Sequence, residues 1–299
     1  MLILHRQGKR GRQMKNNTVL LPVLIMMLVM YTPGFCNESA ELVETMGQGS
    51  VNWGTGIIRA QGRGLPPEWA HGKPQEHPLA LTKARMVAYK NLLKVVQNIR
   101  VNSKTTIKEA VAKDAEMAAQ LDSMIRNAEV AKEEYRLNGT VDVIIQMSMT
   151  GGFAQLILPD NILHVEPVKT IGSIKKSGVP GDQPAPEPFT GFVVDARGLS
   201  VQPVLALNIL NENGKEVYGP AYVSREHAVQ QGMCVYLKDI ERALEIKRVG
   251  KHPLVVKGIK TQGPENSDII ISNADAAILK SKPYNLSFLR KCHVAVIVD

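Results

Sequence analysis

The densest grouping of chemically capable side chains in this 299-residue chain is Asp195-Ala-Arg197-Gly198, at the end of the apolar run Phe189-Thr-Gly-Phe-Val-Val. Residues two apart on a strand face the same side, so Asp195 and Arg197 sit within reach of a charge-assisted bond. Two readings follow. The pair captures a small anionic ligand or cell-wall fragment, or it locks the strand-to-loop turn while Gly198 supplies a backbone angle other residues avoid. Ser224-Arg-Glu-His227 reads as a helix start. Cys234 and Cys292 form an even pair that an oxidising compartment would join as a disulfide, although Cys234 beside Met233 also suits a core position.

Other chemistries lack their residues. No Gly-x-Ser-x-Gly elbow for a nucleophilic serine is present, and no Cys-x-x-Cys. The seven histidines never fall four apart on an expected helix, and His71 and His77 flank a Pro-rich loop, so no metal site is expected. Gly54-Thr-Gly56 and Gly62-Arg-Gly64 lie in a bent strand rather than at a helix start, which is not how a phosphate cradle is built. No cofactor is expected. With five Phe and two Trp in all, the interleaving of bases and aromatics that single-stranded nucleic acid requires is absent.

The formal charge of +8 is concentrated at one end: Arg6, Lys9, Arg10, Arg12 and Lys15 precede residue 37, with no acid among them. Residues 19–30 are an apolar run rising about 18 Å as a helix, short of the roughly 30 Å of a bilayer core. Thr32, Pro33 and Gly34 follow, and Gly34-Phe-Cys36 offers small residues for cleavage before Asn37. Residues 1–36 therefore read as an export signal, with Met14 able to start a compact version of it. Cys36 invites lipidation, but Phe35 directly before it fits a lipidation motif poorly. The expected location is the periplasm or the periplasmic side of the outer membrane, with peripheral contact to that membrane.

The elements that position these residues read as α+β throughout. Val51–Arg63 is a bent, glycine-interrupted strand. From Leu79 to Val101 the small residues Ala84 and Ala88, then Leu92, Val95 and Ile99, recur at helical spacing, so the helix can lie close on a sheet. A second helix covers Ile107–Asn127. Strands Glu129–Leu137 and Thr140–Met149 flank the hairpin signal Asn138-Gly139, and Phe153–Leu158 reads as a closing strand. Residues 166–188, rich in Pro and Gly, read as a linker. Beyond it, strands at 189–195 and 204–210 are expected, a hairpin about Asn211-Glu-Asn-Gly214, and one helix face from Ser224 through Val229, Met233 and Leu237 to Leu244. Strands at 254–259, 268–272 and 292–298 and a short helix from Asn273 complete the second domain. Each of the two domains, 51–160 and 189–299, is expected to carry an antiparallel or mixed sheet with packed helices.

Gly56-Ile-Ile-Arg-Ala-Gln-Gly62, Ala84-Arg85 through Ala88-Tyr89-Lys-Asn-Leu92, and Val141-Asp-Val-Ile-Ile resemble the Lpp-twenty lipoprotein family, which includes the flagellar protein FlgP and is similar to the first domain of FlgT. The likeness covers about residues 51–160. It implies a compact module that self-associates or packs against other envelope proteins, with no enzymatic role. The weak lipidation signal and greater length depart from that pattern.

Overall fold

Glycine and alanine decide how the first half packs. In the computed structural model, which describes residues 41–162, 187–281 and 283–299, strands β1 (Val43–Met46), β2 (Gly49–Asn52), β3 (Ile57–Gly64), β6 (Glu129–Tyr135) and β7 (Val141–Ser148) form an antiparallel sheet in the order β1-β2-β3-β7-β6. The expected bent strand 51–63 is thus a hairpin, turning at Trp53–Gly56 with Gly56 at φ +70°. Helix α1 (Glu76–Asn98) lies across the sheet with Ala80, Ala84 and Ala88 fully buried. It approaches so closely that a Cβ on Gly62 would collide with the backbone of Ala84 and Ala88, and one on Gly64 with that of Ala80. The small-residue stripe and the two glycines are halves of one contact.

The expected helix 107–127 is two: α2 (Ile107–Val111), closed by a capping box between Thr106 and Glu109, and α3 (Ala115–Arg126), capped by Asp114. A short two-stranded ribbon, β4 (Arg100–Asn102) with β5 (Thr105–Thr106), leads into them. The segment expected as a closing strand is a helix, α4 (Gly152–Ile157). Gly151 at φ +68° reverses the chain after β7, and Phe153, Ala154 and Ile157 then share one buried face. A run of six apolar residues does not distinguish these alternatives by period.

The second half is a mixed seven-stranded sheet of β8 (Gly191–Asp195), β9 (Ile209–Asn211), β10 (Glu216–Tyr218), β11 (Val235–Leu237), β12 (Pro253–Gln262), β13 (Asp268–Ile271) and β14 (Val294–Ile297), ordered β10-β9-β13-β12-β8-β14-β11. Strands β12, β8, β14 and β11 run parallel, and Phe192, Val193 and Val194 in their midst are fully buried, as befits parallel strands covered on both faces. The long helix face expected from Ser224 to Leu244 is interrupted. Helix α5 (Arg225–Gln231) stops at Gly232 with φ +76°, β11 follows, and α6 (Ile240–Glu245) starts anew under an Asp239 cap. Helix α7 (Asn273–Lys280) has its Ser272 cap, and α8 (Pro283–Arg290) adds a helix that the sequence reading did not anticipate.

The described residues are α+β, with two large sheets beside the β4–β5 ribbon, and form one compact unit whose buried cluster draws on both large sheets. Several contacts tie the halves, these among them. Trp53 meets Tyr236 edge to face at 5.7 Å between ring centres. The Arg100 and Val101 carbonyls accept from the Leu205 and Ala206 amides at 3.1 and 2.7 Å. Arg225, 5% exposed, donates to the carbonyls of Gln155, Leu158 and Pro159 at the end of α4. The expected signal (1–36), with Cys36, lies outside the described residues, as does the expected linker apart from its last two positions.

Candidate functional site

Strand β8 ends at Asp195, and the parallel register sets Asp195 opposite Lys257 of β12 and Ile297 of β14. Because β8 lies between neighbours on both sides, its carboxyl end opens a turn over the sheet. The Ala196 amide is held by the Ile297 carbonyl at 2.9 Å, so the chain turns immediately afterwards, with Gly198 at φ +79°. Asp195 and Arg197 meet as the two-residue spacing requires: Arg197 Nε and Nη2 donate to the two carboxylate oxygens at 2.8 and 2.7 Å, and the Arg197 amide adds a third bond at 3.2 Å. The Gly198 amide donates to both Asp299 oxygens at 3.1 and 3.0 Å.

The electrostatics follow from this geometry. The Arg197 fork, opposed by burial and assisted by Lys257, holds the Asp195 carboxyl below its ordinary range. Asp195 in turn raises the guanidinium, with smaller contributions from Asp239 and Glu241. The carboxyl of Glu241 is pushed up by its neighbour Asp239. Lys257, Asp299, Asp239 and Glu241 thus surround the turn, brought there by β12, β14 and the start of α6. The sequence reading named the pair but not this ring, since pairings of strands remote in sequence leave no local pattern.

One edge of the Arg197 guanidinium is already committed to Asp195. Chemically the arrangement is a brace whose outer side remains 45% exposed at Arg197. Among the described residues no group of three His, Cys, Asp or Glu side chains is placed to hold a metal ion.

Cys234 and Cys292 are free thiols, so the expected disulfide is not formed in this structure. Cys234 directly precedes β11, whose Val235 pairs with Ala295, while Cys292 lies in the turn before β14 at φ +57°. Burial pushes Cys234 up to about 12 and Cys292 up to about 11. Both are poor nucleophiles in the folded state.

Ser224 heads α5 without a side-chain cap, and the adjacent Arg225 carries the important contact instead, as the buried tie to α4. Nothing local in Ser224-Arg-Glu-His227 marks it, because its partners lie about seventy residues earlier. A cleft of about 320 Å³ opens between the halves, walled by Trp53, Met149, Met233, Cys234 and Tyr236. Arg248 also borders it, its guanidinium engaged by the carbonyls of Gln231, Gly232 and Cys292.

No curated protein matches the chain. Residues 191–299, from the first residue of β8 onward, match the family model described as Treponema pallidum Tp0624, second domain.

Proposed function

We propose that this chain is an exported, non-enzymatic protein of the cell envelope that works by contact with other proteins, in outer-membrane or flagellar assembly, with a FlgP-like module of the Lpp-twenty type as its first half. The form of the first sheet carries the reading. Helix α1 covers one face, while Arg59, Gln61 and Arg63 of β3 stand exposed on the other. There Arg59 bonds Gln146 at 3.2 Å, and Arg63 bonds Asp142 at 2.6 Å. Strand β6 closes the order at an edge, with Glu129, Ala131, Lys132, Glu134 and Tyr135 exposed. An uncovered polar face bounded by an open edge suits strand addition or face-to-face packing. Photo-crosslinking residues in place of Gln61 and Lys132 should yield discrete adducts with envelope proteins or a second copy in cells, and one in place of Lys94 on α1 should not. Absence of adducts from both sheet positions would overturn the reading.

The place of the Asp195 turn favours a second reading, a binding module for a small anionic ligand or cell-wall fragment. The turn lies at the carboxyl end of β8, between its parallel neighbours β12 and β14, the end of a parallel sheet at which ligands are taken. A folded Arg197→Ala protein that has lost binding to peptidoglycan fragments would favour this reading over the brace.

A further inference from the structure

Among the described residues ten large apolar side chains stand exposed, and four of them come from two loops at one end of the first sheet: Leu65 (55%), Trp69 (61%), Tyr135 (50%) and Leu137 (110%). The loop from β3 to α1 and the β6–β7 hairpin meet there. Gly139 at the hairpin turn packs against Pro66 and Glu76, and Glu76 accepts from the Gly72 amide and pairs with His71, both at 2.9 Å. The Tyr135 ring stands edge-on to His77, with 5.7 Å between ring centres. Lys73 Nζ lies 5.6 Å from the Trp69 ring centre. The loops are braced against each other, and their apolar side chains project outward.

We propose that this tip seats the protein on a phospholipid surface, an inference that rests on the envelope reading above. Shape and composition select a bilayer over a protein groove. Leu137 protrudes beyond its exposure in an extended chain, a convex feature suited to insertion. Trp and Tyr are the side chains that settle at the depth of lipid headgroups. Lys73 holds its ammonium over the Trp69 ring, where a headgroup phosphate would meet it once Trp69 settles in the interface. Charge at the tip is balanced, with Lys73, Arg63 and Arg136 against Glu68, Glu76 and Asp142. Asp142 pairs with both arginines. Attachment therefore depends on apolar insertion and suits a surface without strong net charge.

The test uses the chain from Asn37 and vesicles of phosphatidylethanolamine and phosphatidylglycerol. The chain has two tryptophans, and Trp53 is 5% exposed with its indole bonded to Glu44, so a blue shift of emission on vesicle binding reports Trp69. Flotation with the vesicles should persist from about 0.05 to about 0.5 M sodium chloride. It should weaken by about tenfold in Leu137→Ser and in Trp69→Ala, with thermal unfolding unchanged because neither side chain is in the core. The inference is overturned by failure to float, by full binding in the double variant, or by binding that salt abolishes. Crosslinking of position 137 to a protein without vesicle binding would also overturn it while leaving the protein-contact reading intact. Vesicle binding without adducts from Gln61 or Lys132 would sink that reading and leave this one.

Discussion

Arg225 offers the sharpest test of how the two sheets are held together. Its guanidinium is buried and donates to the Gln155 and Pro159 carbonyls at 2.9 Å each and to Leu158 at 3.4 Å. They lie at and just beyond the end of α4, where the Gln155 carbonyl faces a proline at 159 with no amide to give, while the Pro159 carbonyl also accepts from the Ile162 amide at 3.3 Å. Replacing Arg225 by Ala removes two good charge-assisted bonds and one long one and takes the Arg225 donor from the Gln155 and Leu158 carbonyls near the junction. A hydrogen bond to a charged group contributes about 1.5–3 kcal/mol, so the two 2.9 Å bonds set the scale of the loss. We expect Arg225→Ala to lose about 4 kcal/mol, which in a unit of this size lowers the midpoint by about 10 °C. Arg225→Lys should fall between, since an ammonium keeps the charge but not the fork. Arg126→Ala is the control: Arg126 pairs with Asp122 one turn away at 2.7 Å and is 75% exposed, so a change of only about 0.5 kcal/mol is expected. Urea unfolding followed by circular dichroism measures all three. An Arg225→Ala protein within about 1 kcal/mol of the parent, with an unchanged denaturant slope, would refute the reasoning. It would mean that water, rather than Arg225, satisfies the end of α4.

A protease site engineered into residues 170–180 should cut to two fragments that still elute together on gel filtration, because the buried cluster is shared by both halves; separation without denaturant would contradict the shared core. Gly62→Ala should cost about 3 kcal/mol by forcing α1 off the sheet, whereas Gly56→Ala, with open space around it, should lose about 1 kcal/mol from its backbone angle alone; calorimetry ranks the two. Cys234 and Cys292 should resist maleimide at pH 8 in the folded protein and react on unfolding, and because their thiol values are raised to about 12 and about 11, stability should decline as pH rises from about 9 through that range. Asp195 and Asp142 are both lowered by arginine hydrogen bonds, so their contribution is present above the ordinary carboxylate range and lost as pH falls through their folded values; Asp195→Asn should flatten the acid limb of the pH–stability curve, and an unaltered limb would count against the brace.

What the sequence conveyed was mostly local. Asn138-Gly139 and Asn211–Gly214 signalled hairpins because their glycines take left-handed angles, φ +78° at Gly139 and +74° at Gly214. The alanine stripe signalled a helix lying close on a sheet because its spacing and size are visible within one turn. Asp195 and Arg197 were legible as a pair because a strand places alternate residues on one side. The errors had local causes too: Gly151 turned an expected strand into α4, Gly232 ended α5, and Asp114 divided one helix into two. The remainder was nonlocal. Trp53 and Tyr236 are far apart in sequence, Arg225 finds its acceptors in α4, and Asp299 reaches the Gly198 amide across about a hundred residues. No window of fifteen residues contains both partners of any of these contacts.

The position of β14 bears on how such a chain acquires its structure as it is made. It is the last strand in sequence, yet it lies inside its sheet, between β8 and β11, and β11 also holds Glu41 and neighbours Trp53 near the beginning. A chain made amino end first presents its early segments long before their partners emerge. The bridge at Glu41 and the seat of Trp53 must wait for residues 235–237, and those must wait for 294–297. Completion is therefore tied to the arrival of residues 294–297. An arrested chain lacking 291–299 would leave a gap in the middle of a sheet, exposing two strand edges to proteases and to neighbouring chains.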